Sequence, residues 1–99
     1  MTAPISETEA EKRLADINKH ATKGLWKLHS GKLVKKYEFK DFNESMKFVN
    51  AVAELAEKEG HHPFIAISYN EVTLELITHD IGGLSDKDFI LAEKIDRTL

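Results

Sequence analysis

The sequence predicts an α+β domain: a four-stranded antiparallel sheet with helices packed on one face, in the order αββαββα. Three observations carry this reading. Three segments repeat apolar residues at helical spacing, each opened by a polar cap. Two other stretches alternate apolar and polar residues about a turn signal. The two kinds of segment interleave, with no linker, low-complexity tract or solenoid period between them, so one domain over residues 1–99 is expected.

The first helix opens with Ser6 and, three residues on, Glu9, a capping-box spacing. Ala10, Leu14, Ile17 and Ala21 then recur on one face until Gly24. LWKLHSGKLVKKYEFKDF alternates on both sides of Ser30-Gly31, as a hairpin does, with Trp26 and Phe39 anchoring it in the core. Asp41 with Glu44 starts the second helix, whose expected inner face is Met46, Val49, Val52, Ala53 and Ala56, and Gly60 stops it. FIAISY and VTLELITH form a second hairpin about Asn70-Glu71, since Asn tolerates positive φ. Ser85 with Asp88 caps the closing helix, which buries Phe89, Ala92, Ile95 and Leu99.

Composition narrows the chemistry. The 99 residues include no cysteine, which removes disulfides, thiol nucleophiles and thiolate metal sites. The start, MTAPISETEAEKR, is acidic and has no apolar core, and no run of about eighteen apolar residues occurs, so a cytoplasmic protein without membrane spans is expected. A net charge of −3 gives no general attraction for nucleic acid. Lys32, Lys35 and Lys36 read as a solvated strand edge, where lysines discourage unwanted pairing.

Five histidines are present, and two of them, His61 and His62, stand against Pro63 at the mouth of a strand. Imidazoles titrate near ~6.5 and can donate or accept a proton near neutrality. With Asn70-Glu71 as a two-residue loop, Tyr69 faces Val72, and continuing the ladder sets His62 opposite His79. Ile65, Ile67, Tyr69, Val72, Leu74 and Leu76 then share the core face, and His62 and His79 the more polar one. Pro63 restricts His62 to extended backbone. Glu57, one helical turn before His61, is placed to orient an imidazole. Asp88 reads first as the N3 acid of the last helix. Adjacent histidines on an extended chain diverge, which argues against a His–carboxylate metal centre. His20 and His29 are assigned no role.

The spacing Glu57, His61-His62-Pro63, Tyr69, His79, Asp88 resembles the signature of pterin-4a-carbinolamine dehydratases. Gly24-Leu25-Trp26, YEFKDF and GGLSDKDF are similar to further segments of that family, so the likeness covers most of the chain. The resemblance implies the αββαββα fold and the dehydration of 4a-hydroxytetrahydrobiopterin to quinonoid dihydrobiopterin in tetrahydrobiopterin recycling, with no metal or organic cofactor. It implies His61 and His79 as leading acid/base groups, with His62 positioning substrate or moving an additional proton. Glu57, Pro63, Thr78 and Asp88 are then substrate-binding or orienting residues. Implied partners are a small pterin and further copies of the chain, as a homodimer or homotetramer, with no nucleic acid or membrane. Some animal relatives also act as dimerisation cofactors for a homeodomain transcription factor, but nothing in this sequence indicates such a partner. Four positions depart from animal members: Gly60 replaces an acidic residue, Ile65 a Trp, Ile81 a Cys and Lys87 an Arg. The missing aromatic at Ile65 bears on pterin stacking.

Overall fold

A computed structural model describes residues 3–99. Its elements are α1 (Glu7–Asn18), β1 (Lys27–His29), β2 (Lys32–Glu38), α2 (Phe42–Glu59), β3 (Phe64–Ser68), β4 (Glu71–Leu76) and α3 (Asp86–Asp96), with a short 3-10 turn, His79–Ile81, between β4 and α3. The strands form one sheet in the order β1-β2-β4-β3, antiparallel throughout. The predicted fold class is therefore the observed one.

Alternation along the strands decides which face is buried. Leu33, Lys35 and Tyr37 of β2 and Val72, Leu74 and Leu76 of β4 all point under the helices, while Lys36, Glu38, Phe64, Ala66 and Ser68 lie on or beside the open face. Trp26 is buried as expected, and Phe39 packs against the core in a cluster with Tyr37 and Phe48, whose ring centroids lie 4.6 to 6.3 Å apart. Asn18 ends α1 by exchanging two hydrogen bonds with the backbone of Trp26, so the helix stops well before Gly24.

Several expectations change. Lys35 is not a solvated edge lysine: β4 covers β2, and the Lys35 ammonium lies inside, donating to Asp96 Oδ1 at 2.8 Å and to the Thr22 carbonyl at 2.7 Å. Tyr37 OH and Trp26 Nε1 donate to the same carboxylate. Burial pushes the Lys35 ammonium below its ordinary value against the opposing pull of Asp96, and burial, helped by Asp96, pushes the Tyr37 phenol well above its own.

The buried stripe of α2 is Ser45, Phe48, Val52 and Ala56, whereas Ala53 is exposed and Met46 only partly covered. This helix carries apolar residues on two stripes, and the one containing Phe48 packs inward. Leu99 lies beyond the end of α3 and is exposed.

The second hairpin turns one position earlier than expected. Ser68 pairs with Glu71, so Tyr69-Asn70 is the loop, and Tyr69 takes the left-handed φ of 52°. Asn70 is engaged elsewhere, its amide donating to the Phe39 carbonyl while its own carbonyl accepts from Phe39 N–H. The register moves by two residues, which keeps Ile65, Val72, Leu74 and Leu76 on the covered face, whereas Ile67 on the edge strand and Tyr69 in the turn are exposed rather than in the core. It does not preserve the predicted opposition of His62 and His79: β3 begins at Phe64, β4 ends at Leu76, and His79 sits in the 3-10 turn.

Candidate active site

Helix α2 ends in a left-handed Gly60, with φ 65° and ψ 31°, and the next N–H, from His61, closes back on the Ala56 carbonyl at 3.1 Å. Glycine adopts this conformation without the Cβ penalty that other residues meet there. The reversal throws His61 and His62 off the helix in different directions, and Pro63 then leads into β3.

His61 turns inward. Its Nε2 lies 2.6 Å from Asp88 Oδ1, with the imidazole mostly covered and the carboxylate fully so. Asp88 Oδ2 accepts from the Thr78 hydroxyl at 2.8 Å and from Ser85 N–H at 2.9 Å. The Ser85 and Thr78 hydroxyls are 2.7 Å apart, and Ser85 Oγ also accepts from Lys87 N–H. The capping box predicted from Ser85 and Asp88 is present. The same carboxylate thus completes the first turn of α3 and holds an imidazole.

His62 turns outward, its Nε2 in hydrogen-bond contact with Glu57 Oε2 and both side chains largely exposed. Glu57 therefore contacts His62 rather than His61, because the left-handed residue between helix and strand redirects the chain. Each adjacent histidine has its own carboxylate, one buried and one in solvent.

His79 follows Thr78 directly and is exposed at the start of the 3-10 turn. That turn is closed at its base by a bridge between Thr78 and Gly83, Thr78 N–H donating to the Gly83 carbonyl at 2.9 Å. A cavity of about 580 Å³ opens beside it, lined by Ala3, Ile5, Thr78, Asp80, Ile81, Ser85, Asp86 and Lys87. Of the sequence-predicted residues, the structure brings His61, Thr78 and Asp88 together, pairs His62 with Glu57, and places His79 one residue from the cluster. Pro63 makes no polar contribution there. Ser85, read only as a helix cap, is a further member of the cluster, and its spacing to Asp88 was the signal for it. Among the described residues no group of three or more His, Cys, Asp or Glu is arranged to hold a metal ion.

The family model described as Pterin 4 alpha carbinolamine dehydratase matches residues 3–98. The chain belongs to this family. A relative from Acidobacterium capsulatum, named "Putative pterin-4-alpha-carbinolamine dehydratase", is 53% identical over 97 residues, covering 98% of this chain and 99% of its own. A relative of the same name from Sulfolobus acidocaldarius is 40% identical over 93 residues, covering 94% and 96%. Among solved structures, a transcriptional coactivator/pterin dehydratase from Brucella melitensis superposes with a TM-score of 0.82 at 27% identity, covering 95% of this chain and 96% of that one. Family membership makes this a pterin dehydratase fold with three helices over a four-stranded sheet, and it connects the chain to pterin chemistry. No helix among the described residues is long and apolar enough to cross a membrane.

Proposed function

We propose that this member of the pterin dehydratase family removes water from 4a-hydroxytetrahydrobiopterin, giving quinonoid dihydrobiopterin, by histidine acid/base catalysis. The observation that carries the reading is the pairing of His61 with the buried Asp88, beside the loop that bears His79. In the reaction the C4a–O bond breaks with its electron pair leaving on oxygen, an acid protonates that oxygen, and a base takes the N5 proton. The N5 lone pair then forms the C4a–N5 double bond. Atoms balance as loss of one water.

Asp88 is surrounded by donors, so its Oδ1 favours a proton on His61 Nε2 and leaves Nδ1 as the lone-pair nitrogen. That suits His61 to accept the N5 proton. His79, on an exposed turn, supplies the acid to the leaving oxygen, and His62, steadied by Glu57, positions the pterin or moves a further proton. The test is dehydration of freshly generated 4a-hydroxytetrahydropterin by wild type, His61→Ala and His79→Ala. Loss of a proton-transferring histidine lowers turnover by roughly ten- to ten-thousand-fold. Equal rates in all three proteins would reject this site.

The reading includes self-association. β3 is a sheet edge without lysine or arginine, with Phe64 58%, Ile67 38% and, just beyond, Tyr69 64% exposed, and the outward stripe of α2 begins at Phe42, also half exposed. An edge of this kind suits a dimer and a second helical face suits its doubling to a tetramer. Sedimentation velocity showing a monomer across the micromolar range would overturn this part.

A further inference from the structure

The chain ahead of α1 runs over the loop that carries Thr78 and His79. Ile5 N–H donates to the Leu84 carbonyl at 2.8 Å, and the Ile5 side chain packs against the core. Pro4 lies so close on Gly83 that a β-carbon added there would stand 2.8 Å from Pro4 Cβ and 3.1 Å from Pro4 Cγ. Neither atom is the free end of a flexible side chain, so the contact fixes the separation of the two backbones. Gly83 is one side of the bridge to Thr78, Thr78 donates to Asp88, and Asp88 holds His61. Ala3 and Ile5 also share the 580 Å³ cavity with Thr78, Ile81 and Ser85.

We propose that Pro4 and Ile5 form a positioning strap, which through Gly83 sets the height of the Thr78–Gly83 loop and with it the placement of Asp88, His61 and His79. The strap touches no reacting atom. It works because Gly83 lacks a side chain: the loop settles against Pro4 at a distance that only a bare α-carbon permits. Its consequence for turnover rests on the dehydratase reading; its consequence for ring geometry does not.

The test is a reciprocal pair of substitutions. Gly83→Ala forces Pro4 and the loop apart, and misplacement on the ångström scale lowers turnover by about a hundred-fold. Pro4→Gly removes the opposing ring, so the double variant Pro4→Gly/Gly83→Ala recovers to within a few-fold of Pro4→Gly alone. All variants are compared well below their melting temperatures. The His61 and His79 ring resonances are recorded in parallel, since they move in Gly83→Ala and return in the double variant. A merely structural role lowers thermal stability without this reciprocal recovery. Unmoved rings in Gly83→Ala, or a double variant no better than Gly83→Ala, would overturn the strap. A wild type that does not dehydrate the pterin would reject the dehydratase reading, while the ring resonances still decide the strap.

Discussion

Asp88→Asn separates the carboxylate's effect on His61 from its support of α3. All three of its partners approach as donors: Ser85 N–H and the Thr78 hydroxyl on Oδ2, His61 Nε2 on Oδ1. A backbone amide cannot reverse its polarity, but an imidazole can. The substituted side chain therefore keeps oxygen toward Ser85 and Thr78 and turns its NH2 to His61, whose ring adapts by moving its proton from Nε2 to Nδ1. The number of hydrogen bonds is conserved and only their charge assistance is lost, so stability falls by about 1–3 kcal/mol. For a domain of this size each kcal/mol lowers Tm by roughly 4–8 °C. Turnover falls much further, by roughly 10²- to 10⁴-fold, because Nδ1 now carries a proton and has no lone pair for N5. The assay follows carbinolamine dehydration well below Tm, with nitrogen-15 spectra of the His61 ring. A rate within twofold of wild type, or a ring still protonated at Nε2, would refute this reasoning.

Tyr37→Phe probes the buried Asp96 network. An unfolded tyrosine ionises near its ordinary 10.0, whereas the folded phenol keeps its proton, so the stability it contributes is full below that pH and declines as pH rises above it. Lys35 has the opposite sign: its burial cost is relieved as pH approaches 10.5, where the unfolded lysine also loses its proton. Urea midpoints between pH 8 and 11 should therefore fall above about pH 10 in wild type and fall less in Tyr37→Phe. Glu57→Gln removes an exposed partner of His62 and should change stability by less than about 0.5 kcal/mol, with turnover reduced less than in Asp88→Asn; an equal or larger loss of turnover would give Glu57 the greater role. Gly60→Ala meets no atom within 4 Å and pays only for its left-handed backbone, about 1 kcal/mol by denaturant titration.

The order of elements was legible because each carries a local signature: Ser6, Asp41 and Ser85 all cap helices, and Ser30-Gly31 turns the first hairpin. What escaped depends on distant partners. Asn70 looks like the first residue of a tight turn, but Phe39 holds it, and Tyr69 takes the left-handed position instead. Lys35 looks solvated until α3 brings Asp96 over it, from 61 positions along the chain. The inner face of α2 is blurred in the sequence because Met46 and Ala53 belong to a second apolar stripe beside the buried one, while Val49 packs against the core. At the site, Asp88 was visible as a cap and His61 as part of a histidine pair. Their contact was not, since it depends on how Gly60 redirects the chain. The pairing of Glu57 with His62 has the same origin.

Because a single carboxylate closes the first turn of α3 and grips an imidazole, fraying of that turn and release of His61 are one event. The amide hydrogen of Ser85 then serves as a clock: its exchange with deuterated solvent reports how often the assembled arrangement comes apart in the resting protein. Any ligand that lengthens that interval must prefer the closed turn.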